Sequence, residues 1–131
     1  MSAYGFNVNV KGTMEQVVKK VTEALQTEGF GILTEIDVQA TLKKKLNIDR
    51  KPYLILGACN PGYAHQALDA EPDIGLLLPC NVVVRQENDG SIDVGFMDPE
   101  AVLGLVKSDA VRKIGKEVRT KLERVRDALK K

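Results

Sequence analysis

The chain has 131 residues, 44% hydrophobic and 28% charged, with 19 Lys or Arg against 18 Asp or Glu and a formal net charge of +1. These proportions fit a soluble globular protein, and the length suits one domain over residues 1–131 with a substantial core. A membrane-spanning helix is excluded because no apolar run nears the ~20 residues it needs.

The first residues, MSAYGFNVNV, lack the basic and apolar regions of a secretory leader, so none is expected. With two cysteines and no leader, a cytosolic setting with free thiols is expected. The small net charge hides an asymmetry: residues 107–131 hold ten Lys or Arg and only four Asp or Glu. Such a basic segment raises the question of nucleic acid. It contains no aromatic residue on which a base would stack, and its Lys and Arg alternate with Glu117, Glu123 and Asp127 at pairing distances. A solvated helix face is the better reading, and no nucleic-acid or membrane partner is expected.

Tyr4, Phe6, Val8 and Val10 alternate with small or polar residues, the period of a strand. After the Lys11-Gly12 turn, Thr13 opens a helix with Gln16 as its capping-box partner. Met14, Val17, Val18, Val21 and Leu25 form its apolar stripe, and Gly29 is placed to end it. Phe30, Ile32, Thr34, Ile36 and Val38 alternate again, predicting a second strand, and a short helix follows at about Ala40 to Leu46. The third strand spans Pro52 to Cys59. Its LILGAC run is apolar on both faces, which predicts an inner, covered strand.

Asn60-Pro61 reads as the N-cap and first position of a short helix that stops before Pro72. DIGLLLP leads into a fourth strand, Cys80–Glu87. Asn88-Asp89-Gly90 predicts a hairpin turn into a fifth, Ser91–Met97. Asp98-Pro99 opens another helical turn. Val111, Ile114, Val118, Leu122, Val125 and Leu129 then recur at spacings of 3 and 4, one stripe on a long final helix. The whole predicts an α+β fold: a two-layer, mainly antiparallel five-stranded sheet with helices packed on one face. The other face would carry Asn7, Asn9, Asp37 and Asp93. The apolar third and fourth strands do not suit open water, which points to a homodimer covering part of that face.

The chemistry-bearing residues concentrate at two similar steps, Cys59-Asn60-Pro61 after the third strand and Pro79-Cys80-Asn81 before the fourth. If those strands are antiparallel neighbours, the two Cys-Asn pairs meet at one edge of the sheet. Cys59 would precede a helix N-terminus, whose dipole favours a thiolate. Asn60 and Asn81 would offer amide N–H groups to a carbonyl or an anion. Two close sulfurs would form a transient disulfide or share a soft metal ion, with His65 as a third ligand. His65 lies too far along the helix for direct contact with Cys59 unless the chain folds back, and three ligands fall short of a closed structural zinc site. There is no CxxC, GxGxxG, P-loop, GxSxG or HExxH pattern.

LGACNPGYAHQAL, IGLLLPCNVVV, the following hairpin and FMDP together resemble the family named domain of unknown function 302, over about residues 5–130. The resemblance implies a compact two-layer α+β domain, dimeric, with no assigned reaction. Its members commonly carry GNP where this chain has ACNP, and a residue other than cysteine after the Leu-Pro step. The turn rather than the thiols would then be the shared feature. Three functions are therefore expected in order. The first is binding of a small ligand or soft metal at Cys59, Asn60, Pro61, Cys80 and Asn81. The second is a thiol redox protein or enzyme using Cys59 and Cys80. The third is a structural dimer or interaction module.

Overall fold

The computed structural model describes residues 3–130. Strand β1 (Gly5–Val10) leads to helix α1 (Met14–Thr27), β2 (Gly31–Asp37), α2 (Val38–Leu46), β3 (Tyr53–Cys59) and α3 (Pro61–Ala70). A 3₁₀ helix (Pro72–Leu77) precedes β4 (Cys80–Gln86), β5 (Ile92–Met97), α4 (Pro99–Leu103) and α5 (Asp109–Leu129). The strands form one antiparallel sheet in the order β1-β5-β4-β3-β2. The expected α+β architecture is therefore observed, with five strands and a long C-terminal helix.

Local chemistry explains most of the boundaries. The capping box of α1 is complete: Gln16 N donates to Thr13 Oγ1 at 3.1 Å, and Thr13 N donates to Gln16 Oε1 at 3.0 Å. At the other end of α1, Phe30 N donates to Leu25 O and Gly29 takes a φ of +85°, a left-handed closure that suits glycine. The β4–β5 hairpin turns at Gly90, whose φ is +86°, with Asp89 Oδ1 accepting from Ser91 N at 2.9 Å.

The core lies between the sheet and the helices. Val17, Val21 and Leu25 of α1 and the stripe Val111, Ile114, Val118, Leu122, Val125 and Leu129 of α5 are all buried. They pack on Phe6, Val8, Leu56, Val82, Val84, Val94 and Phe96 of the sheet. This burial is the main source of stability, at roughly 25 cal/mol per Å² of apolar surface removed from water.

Two expectations about strands need correction. Strand β2 does not keep one apolar face. A bulge between Ile32 and Thr34 shifts the alternation, so Ile32 stays on the helix side beside Ala58, while Thr34 and Ile36 pair with Gly57 and Ile55 on the open side. Asp37 accordingly does not belong to the open face. It ends the strand and accepts from Ala40 N at 2.9 Å, which starts α2 at Val38 rather than at Ala40. Strand β3 is an inner strand, paired with both β2 and β4. Its helix side is covered by the core, where Leu56 and Ala58 are buried; on the open side Gly57 is buried beneath Thr34 and Pro79, while Ile55 is only half-buried.

Candidate functional site

The predicted meeting of the third and fourth strands occurs. Ala58 lies opposite Cys80 and Gly57 opposite Asn81. The strand alternation then sorts the residues. Cys80 shares the helix side with Ala58 and is 7% exposed, whereas Asn81 faces the other side of the sheet and is exposed. Cys59, one residue beyond Ala58, is half-buried.

Both cysteines line a cavity of about 310 Å³ where the sheet, α3 and α5 converge. Ala58 and Cys80 form its sheet side, Ala64 and Ala67 of α3 one wall, and Ile114 and Val118 of α5 the other. Leu103 and Phe30 add to the walls. Leu33, Leu68 and Gly75, all exposed, stand at the mouth. The lining is almost wholly apolar. Among the described residues no buried side-chain nitrogen or oxygen lacks a hydrogen-bond partner.

Asn60 occupies the N-cap position of α3 but makes no capping hydrogen bond with its side chain. Its Nδ2 instead donates to the Glu28 carbonyl at 3.1 Å, at the C-terminal end of α1. Asn60 thus ties the β3–α3 junction to the end of α1. Gly29 makes room for it, since a Cβ there would lie 3.1 Å from Asn60 Nδ2. Glu28 is held in turn by Arg124 of α5, with contacts of 2.8 and 3.1 Å, and by Lys121 at 3.9 Å. Pro61 is exposed at the first position of α3.

The sequence model of the family described as Domain of unknown function DUF302 matches residues 6–129. The chain belongs to the DUF302 family. A crystal structure of an uncharacterized conserved DUF302 protein from Bacillus stearothermophilus superimposes with a TM-score of 0.89 at 30% identity, covering 98% of this chain and 99% of that one. An uncharacterized protein of Aquifex aeolicus (strain VF5) is 32% identical over 63 residues, which span 47% of this chain and 44% of that protein.

In this DUF302 domain the predicted site separates into parts. Cys59, Asn60 and Cys80 gather around the cavity, while Asn81 lies on the opposite sheet face. His65 does not join the thiols. Its side chain is 78% exposed on the outside of α3, and Nε2 lies 3.6 Å from Asp69 Oδ2 one turn on. The metal set Cys59, Cys80 and His65 is therefore not assembled. Among the described residues no three His, Cys, Asp or Glu side chains group as metal ligands.

The electrostatics of the thiols also run against expectation. Burial, with a smaller contribution from Cys59, pushes the Cys80 thiol up to about 12, and burial pushes Cys59 up as well. Both shifts favour the protonated thiol over the thiolate expected at a helix N-terminus.

The residues that sequence reasoning missed are the apolar ones. Ala64 and Leu68, and Tyr63 and Ala67, are spaced by four along α3 and line the cavity. That spacing is present in the sequence, interleaved with polar residues such as His65 and Gln66. Tyr63 also sits beneath Lys121, whose Nζ is 6.0 Å from the ring centroid. Burial, followed by the charge of Glu117, pushes its hydroxyl up.

Proposed function

We propose that this domain binds a small, uncharged and largely apolar molecule in the cavity beside Cys59 and Cys80. The observation that carries the reading is the cavity itself: about 310 Å³, walled by aliphatic and alanine side chains, with a mouth framed by exposed Leu33 and Leu68. An apolar cavity of ~150 Å³ is enough for benzene, so this space suits a bicyclic or branched aliphatic skeleton. A charged ligand would lose its hydration against these walls without gaining a partner. One N–H of the Asn60 amide, expected to hold an anion, is taken by the Glu28 carbonyl. The thiols then act as soft, polarizable wall groups.

The raised thiol pKa values speak against a Cys59 nucleophile, and the absence of a grouped third ligand among the described residues speaks against a soft metal ion. The uncharged fluorophore N-phenyl-1-naphthylamine tests the binding reading. Its emission should rise saturably with one equivalent of protein, and the bound probe should slow alkylation of Cys59 by N-ethylmaleimide. Ala64→Phe, which fills the cavity from α3, should weaken binding by about tenfold or more with an unchanged circular dichroism spectrum. Equal affinity in that variant, or no saturable signal, would refute the proposal.

Self-association through the open sheet face is a second reading. It is favoured by exposed Ile36 beside half-buried Ile55 and Val83, an apolar strip across three strands. Sedimentation equilibrium should give a dimer that Ile36→Glu converts to a monomer. A wild-type monomer at high micromolar concentration would dismiss it.

A further inference from the structure

Among the described residues, α2 is the one helix of eight or more residues with no buried side chain. Nine residues are thus ordered at the edge of the fold without contributing to its core. Val38, Leu42 and Leu46 recur every four residues and fall on one side of this helix. Val38 and Leu42 are half-buried, but Leu46 is 62% exposed, and Ile48 just past the left-handed Asn47 is 47% exposed. Lys43, Lys44, Lys45, Arg50 and Lys51, all exposed, flank these two residues in the chain. The only carboxylate in that stretch is Asp49, which pairs with Lys43 at 2.9 Å.

We infer that the α2 tip is a docking surface for an anionic lipid bilayer. The charge is complementary to acidic headgroups, and each Lys or Arg near such a surface adds to its attraction. Leu46 and Ile48 would enter the boundary between headgroups and acyl chains, while the flanking lysines extend their stems and keep their charges in the headgroup layer. A nucleic acid would use the same cations but gives two exposed aliphatic tips nothing to fill. Residues 43–51 also contain no aromatic side chain for base stacking. The inference is independent of the cavity and of any ligand in it.

The test is cosedimentation of the full chain with vesicles of phosphatidylcholine containing about 30 mol% phosphatidylserine. Binding is expected, together with its loss on vesicles of phosphatidylcholine alone and at about 0.5 M NaCl. Lys44→Glu with Lys45→Glu should reduce it by about tenfold or more. Leu46→Ser with Ile48→Ser should reduce it severalfold while every charge is retained. All four side chains are exposed, so folding should survive, as circular dichroism would verify. Absence of binding to the acidic vesicles overturns the inference. So does binding unaffected by the Leu46 and Ile48 changes, or tighter binding to duplex RNA that those changes leave intact.

Discussion

A methyl group at Gly57 would stand 2.1 Å from Thr34 Oγ1 and 2.8 Å from Pro79 Cγ, because the β2 hydroxyl and the proline ring before β4 both close over that glycine. Gly57→Ala should therefore destabilise the fold by about 1–3 kcal/mol, as overpacking does. Thr34→Ala in the same chain should recover part of this, since it removes the nearer clash and leaves the ring. Urea unfolding of the two variants and their combination measures both effects.

Cys80 makes a pH prediction. Its thiol is raised from 9.0 to about 12 in the folded protein, so the unfolded chain loses that proton first as pH rises. Stability from this group is complete below pH ~9 and falls by about 1.4 kcal/mol per pH unit above it, up to the folded value. The urea midpoint of wild type should drop more steeply between pH 9 and 10.5 than that of Cys80→Ala; parallel curves would show that the thiol is not buried in this way. At this scale the sequence was partly legible. Two neighbouring residues of one strand face opposite sides, so the expected site that joined Cys80 to Asn81 conflicts with the strand period itself. The partner of Asn60 was not legible, because Glu28 is 32 residues away and offers only a backbone carbonyl.

Several elements are joined at Asp98. Its Oδ1 accepts from Glu100 N at 2.9 Å and Ala101 N at 3.4 Å, capping α4, and its Oδ2 accepts from Arg119 of α5. Its own N donates to Tyr4 O at 2.8 Å, beside β1. The Arg119 guanidinium lies over the Phe6 ring, 5.4 Å from the centroid. One buried carboxylate thus links a cap, a long helix and an edge strand. Asp98→Ala removes the cap and leaves Arg119 with only the looser Glu123 contact at 3.5 Å. The cost should be about 2–4 kcal/mol, below that of a fully buried pair because Arg119 is partly exposed. Thermal unfolding would show it, and a change near zero would mean that α4 holds without its cap. The cap itself was legible in Asp98-Pro99, as were the α1 box and the α5 stripe, because each is encoded within one turn or one period. The phase of β2 was not. Alternation from Phe30 to Val38 looked continuous, and only Leu33, an apolar residue in the polar phase, marks the bulge between Ile32 and Thr34.

Across the whole molecule, the cavity arises where the ends of elements meet. The β3–β4 edge gives the small side chains of Ala58 and Cys80, and α3 gives Ala64 and Ala67 across from Ile114 and Val118 of α5. Small residues on two sides keep the layers from filling the space. The sequence located this place by its cysteines and asparagines, but the property that defines it belongs to the alanines. Their packing depends on an α3–α5 contact that no local pattern encodes. Apolar ligand binding here requires that this volume be accessible and dry. A crystal of the full chain pressurised with xenon measures that directly, since xenon enters apolar cavities and not hydrated ones. A xenon peak bounded by Ala58, Ala67, Cys80 and Ile114, absent in Ala64→Phe, is the predicted result. Ordered waters hydrogen-bonded along those walls, or no space for the atom at all, would contradict it.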